Sequence, residues 1–190
     1  MISERVKQLI RQARIVSFEA WQGQYSQEMI QIFQVADDQG RYLTDEDLER
    51  IGNFYPQLVG SLEKARLLRE KAAVIVEEAR QQVLENYPQI TVPGGELYPP
   101  ERAEACWRDF WHFLRCITYG IAGNSGEFLS QEGLKNMELL YQELGVPLPA
   151  MICGLENLKT FALQNFSAGE QSSLAVYFES LIEALRKFKP

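Results

Sequence analysis

The run from Ala105 to Gly120 constrains the fold most, because its apolar residues recur with the spacing of a helix. At about 100° per residue, one face of this predicted helix carries a thiol, a carboxylate and three apolar side chains: Cys106, Asp109, Phe110, Phe113 and Ile117. Arg108 points to the other side. A thiol and a carboxylate on one face can meet the same ligand, so this run is the first candidate for a functional site.

The same spacing recurs along the chain, and no segment alternates as a half-buried strand would. Turn residues and prolines separate the periodic segments, and Pro56 predicts a break near Tyr55. Besides the cysteine-bearing helix, helices are predicted at about 3–18, 26–36, 44–55, 56–87, 130–144, 149–165 and 170–187. The prediction is an all-α fold of seven to nine helices.

Charge and cysteine content exclude several classes of partner. The 19 basic and 26 acidic residues give a net charge of −7, which disfavours nucleic acid and anionic membranes as main partners. Three cysteines cannot all pair in disulfides, and no secretory leader or membrane span is expected. We therefore expect a soluble, single-domain protein in the reducing cytoplasm.

The residues alone leave the chemistry open. There is no glycine-rich phosphate loop, and the single histidine, His112, cannot supply a two-histidine zinc site, so no metal is expected. His112 could ligate a haem iron or simply pack in the core. Cys116 and Cys153 are expected to be small core residues. Cys106 could likewise be a small core residue and bind no ligand.

Two motifs carry a resemblance to a known family. Residues 106–109 read Cys-Trp-Arg-Asp, and residues 113–120 read Phe-Leu-Arg-Cys-Ile-Thr-Tyr-Gly. This pattern resembles the chromophore helix of phycobiliproteins, the globin-like subunits of cyanobacterial light-harvesting antennae. Residues 36–44, Ala-Asp-Asp-Gln-Gly-Arg-Tyr-Leu-Thr, are similar to the segment that enters the first globin helix of that family. The similarity runs from about residue 32 to the C-terminus.

The resemblance implies a globin-like, phycocyanin-like fold with an N-terminal helical extension at 1–36 and a bilin-binding domain at 37–190. It implies that Cys106 forms a thioether to a linear tetrapyrrole, phycocyanobilin or a related bilin. Asp109 would accept hydrogen bonds from the inner pyrrole N–H groups, and Arg108 would pair with a propionate. Tyr98 would lie in a loop that covers the pigment, and His112 is counted among the pigment-binding residues.

The resemblance also implies an assembly. Asp37 of one subunit would meet Arg115 and Tyr119 of another, giving a homodimer or a heterodimer with a related subunit. A bilin lyase or a bilin reductase is a further expected partner, and the cytoplasm, including the cytoplasmic face of the thylakoid membrane, is the expected location.

The sequence also departs from antenna subunits, and other classes remain open. Its N-terminus is longer, and Cys153 does not fall at the second attachment site of the family, which fits an outlying relative such as a bilin-biosynthesis-associated globin. A non-pigmented interaction or signalling globin and a haem-binding globin are the alternatives. An enzyme is not expected, because no general base is evident beyond Asp109.

Overall fold

Eight α-helices and two short 3-10 turns account for the regular structure in residues 3–189, the part of the chain that the computed structural model describes. The 3-10 turns are Glu19–Trp21 and Pro56–Leu58. The helices are α1 (Glu4–Gln12), α2 (Gln27–Asp38), α3 (Asp45–Phe54), α4 (Val59–Asn86), α5 (Pro100–Ala122), α6 (Gln131–Leu144), α7 (Leu148–Leu163) and α8 (Ala168–Arg186). Within that range the β-type pairing consists of isolated bridges, so the all-α prediction is confirmed.

The ends of the helices follow from local chemistry. At the start of α3, Thr44 Oγ1 accepts from the Asp47 amide at 3.1 Å, and the Thr44 amide donates to Asp47 Oδ2 at 2.9 Å. Gly145 ends α6 in a left-handed conformation with φ of 58°, which glycine adopts without a steric penalty. Pro56 separates α3 from α4, as predicted, because its ring cannot continue the preceding helix.

Helix α5 runs through the middle of the core and positions the candidate site. Its residues from Phe113 to Ala122 are all buried. On α7, Gly154 allows a close crossing, since a Cβ atom there would lie 2.0 Å from Phe110 Cζ. Helix α4 contributes a stripe that the sequence predicted: Leu68, Ala72, Ile75, Ala79 and Val83. Full burial of the larger side chains in this stripe, Leu68, Ile75 and Val83, stabilises the fold by about 1.5–3 kcal/mol each.

The first helix ends at Gln12, six residues before the predicted end at Phe18. Beyond it the chain runs extended, and the Ser17 amide donates to Phe128 O at 3.0 Å while the Ser130 amide donates to Ile15 O at 2.8 Å. The β-branched residues Ile15 and Val16 favour this extended path. We call residues 14–25 the N-terminal strap.

The predicted boundary between residues 36 and 37 falls inside α2. The strap side chains Phe18 and Trp21 belong to the same buried cluster as the residues of α5 and α8, so both sides of that boundary share one core. Within residues 3–189, no helix is both long enough and apolar enough to cross a membrane.

Candidate functional site

Cys106 and Asp109 lie one turn apart on the same side of α5, as the helical spacing predicts. Cys106 is buried, with 4% of its surface exposed, and Asp109 is partly buried. Arg108 is exposed on the other side and forms no ion pair with any residue between 3 and 189. The thiol and the carboxylate therefore share one site, and the guanidinium remains available at its edge.

A tyrosine from α6 completes this site. The hydroxyl of Tyr141 donates to Asp109 Oδ2 at 2.9 Å. The Tyr141 ring packs edge-on against Phe188 from the C-terminal end, with ring centroids 6.1 Å apart. Sequence reasoning missed Tyr141, because 32 residues separate it from Asp109 and only the packing of α6 on α5 brings the two together.

The carboxylate of Asp109 is short of hydrogen-bond donors. Removal from water raises its pKa to about 6, and the Tyr141 hydroxyl and the nearby Arg108 charge only partly counter this effect. No group in residues 3–189 donates to Asp109 Oδ1. A partly buried carboxylate with unused acceptor capacity fits a ligand that brings N–H donors, so these residues fit the bilin that the resemblance implies.

The thiol of Cys106 is protonated at neutral pH. Burial raises its pKa to about 12, the negative charge of Asp109 adds to the rise, and Arg102 opposes it. Burial also raises the pKa of Cys116 to about 12, but that thiol lies in the core further along α5, near Arg115 and Asp37. Cys153 is partly buried on α7 and accepts from Asn86 Nδ2 at 3.4 Å. Only Cys106 has the Asp109 carboxylate beside it on the same helical face.

A groove of about 280 Å³ lies beside Tyr141. It is walled by α6, the turn after it, the C-terminal end and the loop between α4 and α5: Glu96, Tyr141, Gln142, Gly145, Val146, Pro147, Leu148, Pro149, Phe188 and Lys189. The loop is anchored by its buried residues Ile90 and Leu97, which are joined by a backbone hydrogen bond of 2.8 Å. Tyr98, at the end of the loop, is 46% exposed, so its ring is free to contact a ligand.

His112 does not join the Cys106 site. Its Nδ1 accepts from Arg115 Nε at 3.1 Å, and its ring packs edge-on against Trp111. Six residues beyond Cys106 correspond to a rotation of about 240°, which turns His112 away from the thiol. Burial lowers its pKa to about 4, with Arg115 lowering it further. His112 therefore lies beside Arg115 and Trp111, and its role as a pigment-binding residue stays a prediction.

Asp37, Arg115 and Tyr119 contact one another within one chain, and their predicted contact across a subunit interface stays a prediction. Arg115 Nη1 donates to Asp37 Oδ1 and to the Tyr119 hydroxyl, each at 2.8 Å. The Tyr119 hydroxyl in turn donates to Arg41 O. The exposed fractions of Asp37, Arg115 and Tyr119 are only 6%, 6% and 0%. The N-terminal strap lies against the same carboxylate, because Arg14 Nε donates to Asp37 Oδ2 at 3.2 Å.

The fold and the site define an all-helical binding protein, with a buried thiol and a donor-poor carboxylate at one place. The family model described as Phycobilisome protein matches residues 31–185. The chain is 33% identical to the allophycocyanin alpha chain of Thermosynechococcus vestitus over 151 aligned residues. These aligned residues cover 80% of this chain and 94% of that relative. It is also 33% identical over 153 residues to allophycocyanin subunit alpha-B of Synechocystis sp., covering 80% and 95%.

The chain belongs to the phycobilisome protein family. It is a bilin-binding pigment protein of the light-harvesting type, as the motifs around Cys106 and Ala36 indicated. The match to the family begins at residue 31, so α1 and the N-terminal strap lie outside it.

Proposed function

We propose that this chain carries one linear tetrapyrrole, phycocyanobilin or a related bilin, as a thioether at Cys106. The observation that supports this most is the pairing of Cys106 with Asp109, a carboxylate whose pKa is raised to about 6 because burial removes it from water. Such a carboxylate is costly in the free protein and is stabilised once N–H donors reach it.

Each side chain at the site has a role in this proposal. Asp109 accepts from the inner pyrrole N–H groups, while Tyr141 fixes the orientation of its carboxylate through the 2.9 Å bond to Oδ2. Charge-assisted bonds of this kind are roughly twice as strong as neutral ones. Arg108, exposed and without an ion pair in residues 3–189, pairs with a propionate, and Tyr98 covers the pigment. The bound bilin supplies the absorption of visible light.

Attachment requires Cys106 to lose its proton. Because burial holds the thiol pKa at about 12, only a very small fraction is thiolate at pH 7, and the thiolate is the reactive form. We therefore propose that a bilin lyase exposes and deprotonates Cys106. We also propose that a bilin reductase is the source of the pigment. The chain itself acts as a pigment holder in an antenna or as a bilin carrier, and not as an enzyme.

The place and the assembly of the chain are also proposals. The relatives are named as a chain or subunit of allophycocyanin, which supports association with a related subunit or with a second copy. The absence of a spanning helix in residues 3–189 is compatible with the cytoplasm or the cytoplasmic face of the thylakoid membrane.

The absorbance spectrum of the full chain, produced together with a bilin source, tests the proposal. We expect an intense visible band that co-purifies with the chain. A colourless protein would favour the non-pigmented interaction globin, and a Soret band in its place would favour a haem globin. Either result would contradict bilin binding by this chain.

A further inference from the structure

We propose that the N-terminal strap acts as a built-in substitute for a second subunit and holds the chain in a closed, monomeric form. The strap covers the face that contains Asp37, Arg115 and Tyr119, and a second copy of the chain can bind this face only after the strap leaves. The inference rests on the partner association proposed above and adds its regulation.

The first support is the set of charges on this face. Arg14 from the strap donates through Nε to Asp37 Oδ2 at 3.2 Å and through Nη2 to Asp38 Oδ1 at 2.8 Å. The other oxygen of Asp37 accepts from Arg115 of α5 at 2.8 Å. Both oxygens of this buried carboxylate are therefore occupied by donors from the same chain. With 6% of its surface exposed, Asp37 is covered by these donors and is not accessible to a partner chain while the strap is in place.

The second support is the aromatic packing of the strap. Phe18 packs edge-on against Tyr119 with ring centroids 6.0 Å apart, and Trp21 packs edge-on against Phe33 of α2 at 4.9 Å. The Trp21 indole N–H donates to Glu127 O at 2.9 Å, which satisfies the polar atom of a ring that is fully buried. The strap thus lies between α2 and the C-terminal part of α5 and supplies apolar contacts to both.

The third support is that the body of the protein is shaped for the strap. A Cβ atom on Gly123 would lie 2.3 Å from the Trp21 ring, and a Cβ atom on Gly133 would lie 1.6 Å from Arg14 O. Gly133 lies inside α6, where glycine is unfavourable for the helix. Glycines at both contact points allow the strap to approach closely, which indicates a fitted interface and not a loose tail.

A second copy is the occupant that this face would accept. Release of the strap would expose Phe33 of α2 and Tyr119 of α5, together with the opposite charges of Asp37 and Arg115. Two copies can exchange these groups symmetrically, with Asp37 of each chain meeting Arg115 of the other. Such a self-complementary contact closes as a two-fold dimer.

Light scattering on full-length variants tests the proposal. The double variant Arg14→Ala/Trp21→Ala removes the charged and the aromatic anchors of the strap. The matched control, Arg5→Ala, removes an ion pair between α1 and Glu143 that lies outside the strap. We expect the wild-type chain and the control to have the mass of one chain at every concentration. We expect the double variant to reach the mass of two chains within the same concentration range, and an excess of a peptide of residues 13–26 to return it to one chain.

A double variant that is folded by circular dichroism but stays monomeric at the highest concentration would overturn the proposal. A wild-type dimer would overturn it as well. If the double variant does not fold, Arg14→Ala alone decides, because its side chain is 42% exposed and its loss leaves the Asp37–Arg115 pair intact. An unchanged mass for that variant would then contradict the inference. Pigment content, measured by absorbance on the same samples, reports separately on bilin binding.

Discussion

At the scale of single residues, Asp109 links stability to pH in the pigment-free chain. Its pKa is 3.8 when free and about 6 when folded, so the folded state binds more protons than the unfolded state between these values. Stability therefore falls as the pH rises from about 4 to 6. At neutral pH the ionised carboxylate therefore lowers the free energy of unfolding of the pigment-free chain, and N–H donors from a bound pigment would offset this loss.

Asp109→Asn should stabilise the pigment-free protein at pH 7 by about 1–3 kcal/mol, because the amide has no charge to desolvate and its oxygen can still accept from Tyr141. Urea unfolding at pH 4 and pH 7 measures this, and the difference between variant and wild type should shrink at pH 4. In the pigmented protein the same variant should have a weaker, blue-shifted visible band while the bilin stays attached. If the variant has the spectrum and the pH dependence of the wild type, Asp109 is neither desolvated in the folded chain nor in contact with the pigment.

Helical spacing was enough to predict that Cys106 and Asp109 share a face, because a rigid helix fixes their relative angle. It could not predict Tyr141, whose position depends on how α6 packs, nor the neighbours of His112. The pattern of charges alone did not show that Arg115 would donate a hydrogen bond to His112, since that contact depends on the orientation of the guanidinium around Asp37.

At the scale of elements, the Arg115–Asp37 pair joins α5 to α2, and its loss should weaken the single chain. Arg115→Ala leaves a buried carboxylate with Arg14 alone, so we expect the free energy of unfolding to fall by about 3 kcal/mol, the lower end for a broken buried pair. The control Arg186→Ala breaks an ion pair with Glu156 whose side chains are 47% and 42% exposed, and should cost under about 1 kcal/mol. Equal losses in chemical denaturation would argue against a buried pair.

The contact between α6 and the strap gives a second prediction at this scale. Gly133→Ala forces a Cβ atom into Arg14 O, and such overpacking typically costs about 1–3 kcal/mol. Gly60→Ala in α4 meets nothing within 4 Å and should leave stability unchanged or slightly raised. Thermal unfolding of the two variants compares them directly. A Gly133→Ala protein as stable as Gly60→Ala would show that the strap does not dock there.

The helix ends on either side of α3 and α6 could be predicted, because caps, prolines and glycines act locally. The strap could not. Its apolar residues also suit a helical period, and the extended path is chosen by contacts with Phe128 and Ser130, more than a hundred residues away. The predicted first helix was therefore too long for a physical reason: tertiary packing overrode local preference.

At the scale of the whole molecule, the part that matches the family and the segment before it form one core. Residues 31–185 match the phycobilisome family, and the segment before them folds onto that part through Phe18 and Trp21. The family and the all-α fold could be predicted from short motifs and helical periods. The contacts of Asp37 within its own chain could not be predicted. The motifs identify which residues pair, but they do not show whether the pair forms within one chain or between two.

The central claim is that a bilin is bound covalently at Cys106. Denaturing electrophoresis with zinc-induced fluorescence, on protein produced together with a bilin source, tests it most directly. We predict a fluorescent band for the wild-type chain and for the control Cys153→Ala, and no fluorescent band for Cys106→Ala. Full fluorescence on the Cys106→Ala chain, or pigment that leaves the wild-type chain on denaturation, would contradict the claim.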